Sequence, residues 1–166
     1  MKAWRRPRAE PVEPVPADTI ESLVARLEAA AQVRLGHTLA IRHVNTGSCN
    51  GCELELRALS NVLYDLERFG LRFVASPRHA DVLLVTGPVT GNMREALERT
   101  WRATPDPKWV VAVGDCAHNG GVFAGSAACV GGVSAVLPVD LYIPGCPPSP
   151  SALLRGLLAL LETVSA

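Results

Sequence analysis

The run Trp109-Val110-Val111-Ala112-Val113-Gly114-Asp115-Cys116 decides how this chain is built. Five apolar residues follow one another without polar alternation. Such a run marks a strand buried on both faces, the kind found in parallel sheets covered by helices. Gly114 ends the strand, and a cysteine stands just past its carboxyl end. Residues 39–44 read as the first buried strand, residues 71–76 and 81–86 are short apolar runs, and residues 141–143 form a shorter final one. Between them the apolar spacing changes to that of helices, over residues 20–34, 53–69, 93–101 and 150–163. Asp18 or Thr19 is the expected cap of the first helix, Gly70 closes the second, and Ser149 caps the last. Gly87-Pro88-Val89-Thr90-Gly91 reads as a loop.

Alternating strands and helices place the chain in the α/β class. The expectation is a single flavodoxin-like domain, an open and mostly parallel sheet with helices on both faces, plus an N-terminal arm and helix. Residues 1–17 are Pro-rich without periodicity and read as a flexible arm. Residues 18–36 hold the first helix, and residues 37–166 form the main α/β domain. On the first helix Ile20, Leu23, Val24, Leu27, Ala30 and Ala31 share one face, which must pack on the domain or on a partner.

Hydrophobic residues make up 48% of the chain, enough for one core, and only 5% are aromatic, so that core is aliphatic. Sixteen basic residues balance sixteen acidic ones, which gives no electrostatic case for binding nucleic acid. No stretch is long and apolar enough to predict a transmembrane helix. Arg5-Arg6 is followed by Glu10-Pro11-Val12-Glu13-Pro14 rather than by an apolar export segment, so the reading is cytoplasmic. Reduced thiols are then the default for the five cysteines.

Ligands of open α/β sheets sit beyond the carboxyl ends of the strands. Cys49 and Cys52 follow the strand at 39–44, Cys116 follows the strand at 109–113, and Cys146 follows the strand at 141–143. Three distant segments therefore deliver four thiols to one sheet edge. Four thiolates can hold the corners of a [4Fe–4S] cubane. Cys49-Asn50-Gly51-Cys52 can supply two corners from one turn. Gly51 lets the backbone bend, Gly114 and Gly145 leave room, and Pro147-Pro148 stiffens the last loop. Spacing alone also allows a thioredoxin-like dithiol, or a zinc site on the same four sulfurs. The dithiol reading expects no further thiols on neighbouring strand ends. Zinc sites usually use two compact pairs, whereas the second pair here is split between loops.

Ser48-Cys49-Asn50-Gly51-Cys52-Glu53-Leu54-Glu55, Gly87-Pro88-Val89-Thr90, Gly114-Asp115-Cys116-Ala117, Gly120-Gly121 and Pro144-Gly145-Cys146-Pro147-Pro148 together resemble the small-subunit family shared by [NiFe] hydrogenases and the 20 kDa subunit of complex I. The resemblance runs from about Leu39 to the C-terminus. It implies one [4Fe–4S] cluster held by Cys49, Cys52, Cys116 and Cys146, next to a large partner subunit. The complex I members resemble one another in having two adjacent cysteines at the first site. The intervening Asn50-Gly51 is the hydrogenase pattern. A short chain with one cluster looks like the membrane-bound, energy-converting hydrogenases of formate hydrogenlyase type. The implied role is an electron-relay, non-catalytic subunit of an oxidoreductase. Its implied partners are a large [NiFe]-type subunit, a ferredoxin-like iron–sulfur subunit and membrane subunits, on the cytoplasmic side of the inner membrane. The alternatives are a complex I-like NADH/quinone oxidoreductase subunit with its cluster beside a quinone site, and a zinc-stabilised, non-redox binding module.

Other residues have plainer readings. Cys129, among Ala127, Ala128 and Val130, reads as a buried inert thiol. Glu53 suits the first turn of a helix, or else a role in proton transfer or subunit contact. His118 lies near a proposed ligand or simply at the surface. His37, His43 and His79 read as structural or exposed, and Arg42, Arg57 and Arg68 as lying on solvated or interface faces. No catalytic triad, paired-carboxylate site or G-x-G-x-x-G fingerprint is present.

Overall fold

The computed structural model describes residues 17–163, so nearly all of the arm read at 1–17 lies outside the described residues. Five strands form one parallel sheet: β1 (Ala40–Asn45), β2 (Arg72–Phe73), β3 (Val82–Thr86), β5 (Trp109–Val113) and β7 (Leu141–Ile143). Their order is β2-β1-β3-β5-β7. This is the flavodoxin-like order, and it reverses between β1 and β3. Alternate side chains of each strand enter opposite layers. Ile41, Leu84, Val111 and Ile143 join the layer built with α1 (Ala17–Leu35), α2 (Gly51–Ala58) and α5 (Pro150–Thr163). Val44, Leu83, Val85 and Ala112 join the layer containing α3 (Gly91–Ala103) and α4 (Asp115–Asn119). All five residues of β3 are buried, as an interior strand requires.

The apolar face of α1 packs within the domain. Ile20, Leu23, Val24, Leu27 and Ala31 are buried in the layer shared with Leu153, Leu154, Leu157 and Leu161 of α5. Asp18 and Thr19 lie inside α1 rather than capping it, because a helix tolerates both residue types in its first turn.

Three other expectations are corrected. The helix read over 53–69 is two pieces: α2 ends at Ala58, and a 3₁₀ turn covers Leu66–Phe69. Between them Asn61 Oδ1 accepts from the amides of Leu63 and Tyr64, an alternative to continued helix. Gly70 does close the segment, in a left-handed conformation. The strand read over 71–76 stops at Phe73, and Ser76 then caps the short helical turn Pro77–His79. Pro77 lacks the amide a continuing strand would need. The segment read as a loop at 87–91 contains β4 (Val89–Thr90), paired antiparallel with β6 (Cys129–Gly131). Two-residue strands are too short for periodicity to register. The helix beginning at Pro150 forms as read, and Ser149 Oγ accepts from the Ala152 amide at 3.3 Å.

Candidate functional site

Local chemistry shapes the turn after β1. Asn45 Oδ1 accepts from the amides of Gly47 (2.8 Å) and Ser48 (3.1 Å), which folds the chain back on itself. Asn50 adopts a left-handed conformation, φ 74°, which its short side chain tolerates. Helix α2 then begins at Gly51, so Cys49 precedes the helix and Cys52 sits in its first turn.

The loop after β3 packs directly against this turn. The Thr46 amide and Oγ1 both donate to the Thr86 carbonyl, while the Thr46 carbonyl accepts from the amide and Oγ1 of Thr90. Gly87 is left-handed at φ 79°, and a Cβ there would stand 2.4 Å from the Ser48 amide nitrogen. Only glycine permits this approach. On the other side, Gly114 (φ 85°) faces the turn, and a Cβ on it would lie 2.8 Å from Cys52 Sγ.

All four sequence-selected cysteines line one small pocket at the carboxyl ends of β1, β5 and β7, together with Gly51, Gly87, Asp115, Gly145 and Pro147. Cys52 is buried, Cys116 is half-buried, and Cys49 and Cys146 are exposed. The electrostatics show the same convergence. Burial first, then Glu53, then the thiols of Cys116, Cys49 and Cys146 push the Cys52 thiol up to about 12. Burial also raises Cys116, with Cys146 and Cys49 adding to it against an opposing backbone hydrogen bond at Val122. Among the described residues no three His, Cys, Asp or Glu side chains lie close enough together to share one metal ion.

Beside the pocket lies a buried polar network that sequence reasoning did not assemble. Glu53, buried on α2, accepts from Ser48 Oγ at 2.6 Å and from Thr86 Oγ1. His43 Nε2 sits 2.9 Å from Thr86 Oγ1 and 3.7 Å from Glu53 Oε1. The Thr86 proton goes to the carboxylate, so the hydroxyl oxygen accepts from His43 Nε2–H. Burial opposes the charge on Glu53, but the hydrogen bonds from Ser48 and Thr86 outweigh it and hold its carboxyl below the usual range. Burial lowers His43, with Glu53 opposing and Arg42 reinforcing. Read alone, Glu53 suited a helix start and His43 had no pairing. Their contact crosses from β1 to α2 by way of β3, beyond any local pattern.

The remaining residues sort simply. His118 is exposed, with its ring centroid 4.4 Å from that of Tyr142. Arg68 pairs with Glu21 at 3.7 Å on the surface. Cys129 lies outside the thiol pocket, and it is half-buried rather than buried because β6 runs along the surface.

Comparison with known proteins adds an independent line. Residues 49–160 match the family model described as NADH ubiquinone oxidoreductase, 20 Kd subunit. Formate hydrogenlyase subunit 7 of Escherichia coli (strain K12) is 44% identical over 152 residues, which is 90% of this chain and 59% of that protein. The chain thus spans less than two thirds of that relative's length. A probable membrane-bound hydrogenase subunit, mbhJ, of Pyrococcus furiosus is 47% identical over 131 residues, covering 79% of this chain and 78% of the relative. Among solved structures, a chain of the membrane-bound sulfane sulfur reductase, an archaeal respiratory membrane complex, superposes with a TM-score of 0.67 at 35% identity, covering 83% of this chain and 74% of that one. No helix of the described residues is long and apolar enough to cross a membrane. With a family model matching two thirds of its length and a relative aligned over nine tenths of it, the chain belongs to the family of the NADH ubiquinone oxidoreductase 20 Kd subunit.

Proposed function

We propose that this chain is the electron-transfer small subunit of a membrane-associated [NiFe] hydrogenase complex, and that Cys49, Cys52, Cys116 and Cys146 hold one [4Fe–4S] cluster. One observation carries the reading: four thiols from three separate strand ends line a single pocket. A cubane takes one thiolate on each of its four irons, and the four thiols around this pocket supply that donor set. The bound cluster would supply one-electron transfer. The residues of this chain position its ligands and restrict water around Cys52. Bond making at hydrogen belongs to the partner.

The names of the relatives favour a hydrogenase partner, and so does the Asn50-Gly51 spacer. A quinone-reducing partner is the second reading, favoured by the family description. The test is to isolate the complex anaerobically with its large subunit and measure iron, nickel and the reduced-cluster spectrum. About four irons bound to this chain, besides those of the partner subunits, and nickel in the large subunit are expected. A colourless chain binding one zinc would overturn the cluster, and a nickel-free, quinone-reactive partner would favour the second reading. Cys116→Ala is expected to abolish the intact cubane.

A further inference from the structure

Beyond Phe73 the chain leaves the sheet, and the outer edge of β1 is left uncovered. A recess of about 580 Å³ opens there, between β1 and α2, and reaches Asn50 in the cysteine turn. Arg42, His43, Glu53, Arg57 and Phe73 are among the residues that line it. Two buried polar atoms in this lining, Arg42 Nε and Glu53 Oε2, have no hydrogen-bond partner. An unmet buried polar group is costly, so such atoms point to a partner supplied from outside. Arg42 and Arg57 form no ion pair with any described carboxylate. Glu53 is the only acidic lining residue against these two guanidiniums, and its Oε1 is already engaged by Ser48 and Thr86.

We propose that this recess is a socket for an acidic side chain of the large partner subunit, with Arg42 and Arg57 receiving its carboxylate. A guanidinium fork matches a carboxylate in two parallel hydrogen bonds, which fixes register as well as charge. A backbone amide of the incoming loop would satisfy Glu53 Oε2. The location favours a protein over a free anion. The socket adjoins the turn carrying Cys49 and Cys52, where a partner exchanging electrons must approach, and Leu54 on the same helix is 56% exposed. The proposal rests on the reading of this chain as a subunit of a larger complex, and it names the contact that would register the two subunits.

The native complex is purified carrying Arg42→Lys in this chain and treated with a water-soluble carbodiimide, which joins an amine to a carboxylate it touches. The expected product links position 42 to an Asp or Glu of the large subunit, and it is absent from the wild type, whose guanidinium does not react. A link from position 42 to Glu53, or none at 42 while other lysines of the complex react, overturns the socket. Arg42→Gln is expected to weaken retention of the large subunit roughly thirtyfold, and undiminished retention overturns it as well. An iron-loaded, intact complex lacking the link refutes the socket alone. A wild-type chain that purifies without iron or a large subunit refutes the parent reading and the socket with it.

Discussion

Asp115 and Gly145 exchange two hydrogen bonds: Asp115 Oδ1 accepts from the Gly145 amide at 2.9 Å, and the Asp115 amide donates to the Gly145 carbonyl at 2.9 Å. Each residue immediately precedes a site cysteine, so the pair ties the Cys116 loop to the Cys146 loop. Two pocket cysteines that are thirty positions apart in sequence are thereby held as one unit. Asp115→Ala leaves the Gly145 amide without its acceptor and should cost about 1–3 kcal/mol of stability. Asp115→Asn keeps an acceptor oxygen and should cost less. Thermal melts and the rate of iron loss to a chelator check both, and equal rates for Ala and wild type would refute the tie.

Gly114 and Gly87 are two left-handed backbone positions packed against the thiols and the cysteine turn, where a side chain would collide. Gly114→Ala would drive a Cβ to 2.8 Å from Cys52 Sγ, at a left-handed φ. Gly87→Ala would press on the Ser48 backbone. Each substitution should destabilise the protein by more than about 1 kcal/mol. Gly114→Ala should also reduce iron uptake on reconstitution, measured as iron per chain.

The His43 network predicts an acid limit to stability. The His43 pKa is lowered on folding, so above its ordinary value of 6.5 both folded and unfolded chains carry it neutral and its contribution is complete. As the pH falls below 6.5, the unfolded chain takes up a proton first, and stability declines toward the folded value. Glu53, also lowered, adds a loss of the same sign below 4.5. Denaturant titrations at about pH 7.5 and about pH 5.5 should show this fall in the wild type and a smaller one in His43→Gln.

The first helix is a structural part of the domain. Leu27 is fully buried in the layer it shares with α5, whereas Val33 is 89% exposed. Leu27→Ala should cost about 2–5 kcal/mol. Val33→Ala should stay within about 0.5 kcal/mol. Similar midpoints for the two variants in urea would contradict the packing of α1.

Cys129 provides a control for the cluster assignment. It lies on β6, away from the pocket of the other four cysteines. Cys129→Ser should retain about four irons per chain, while substitution of any pocket cysteine should not. Loss of iron in Cys129→Ser would reopen the ligand set.

What the sequence determined by itself was the strand framework and the place of each thiol on it. Continuous apolar runs at 81–86 and 109–113 specify buried parallel strands, because burial on both faces removes the need for alternation, and a cysteine just beyond such a strand must stand at the sheet's carboxyl edge. The end of α2 at Ala58 and the early stop of β2 were not legible, because Asn61 and Ser76 redirect the backbone through local side-chain hydrogen bonds that carry no periodic signal. Only the tertiary structure decided that Glu53 meets Thr86 and His43, that Asp115 bridges to Gly145, and that a recess opens beside Arg42. Those relations depend on which strands lie side by side and how closely their loops pack, and residues far apart in the chain acquire them only when the whole sheet has formed.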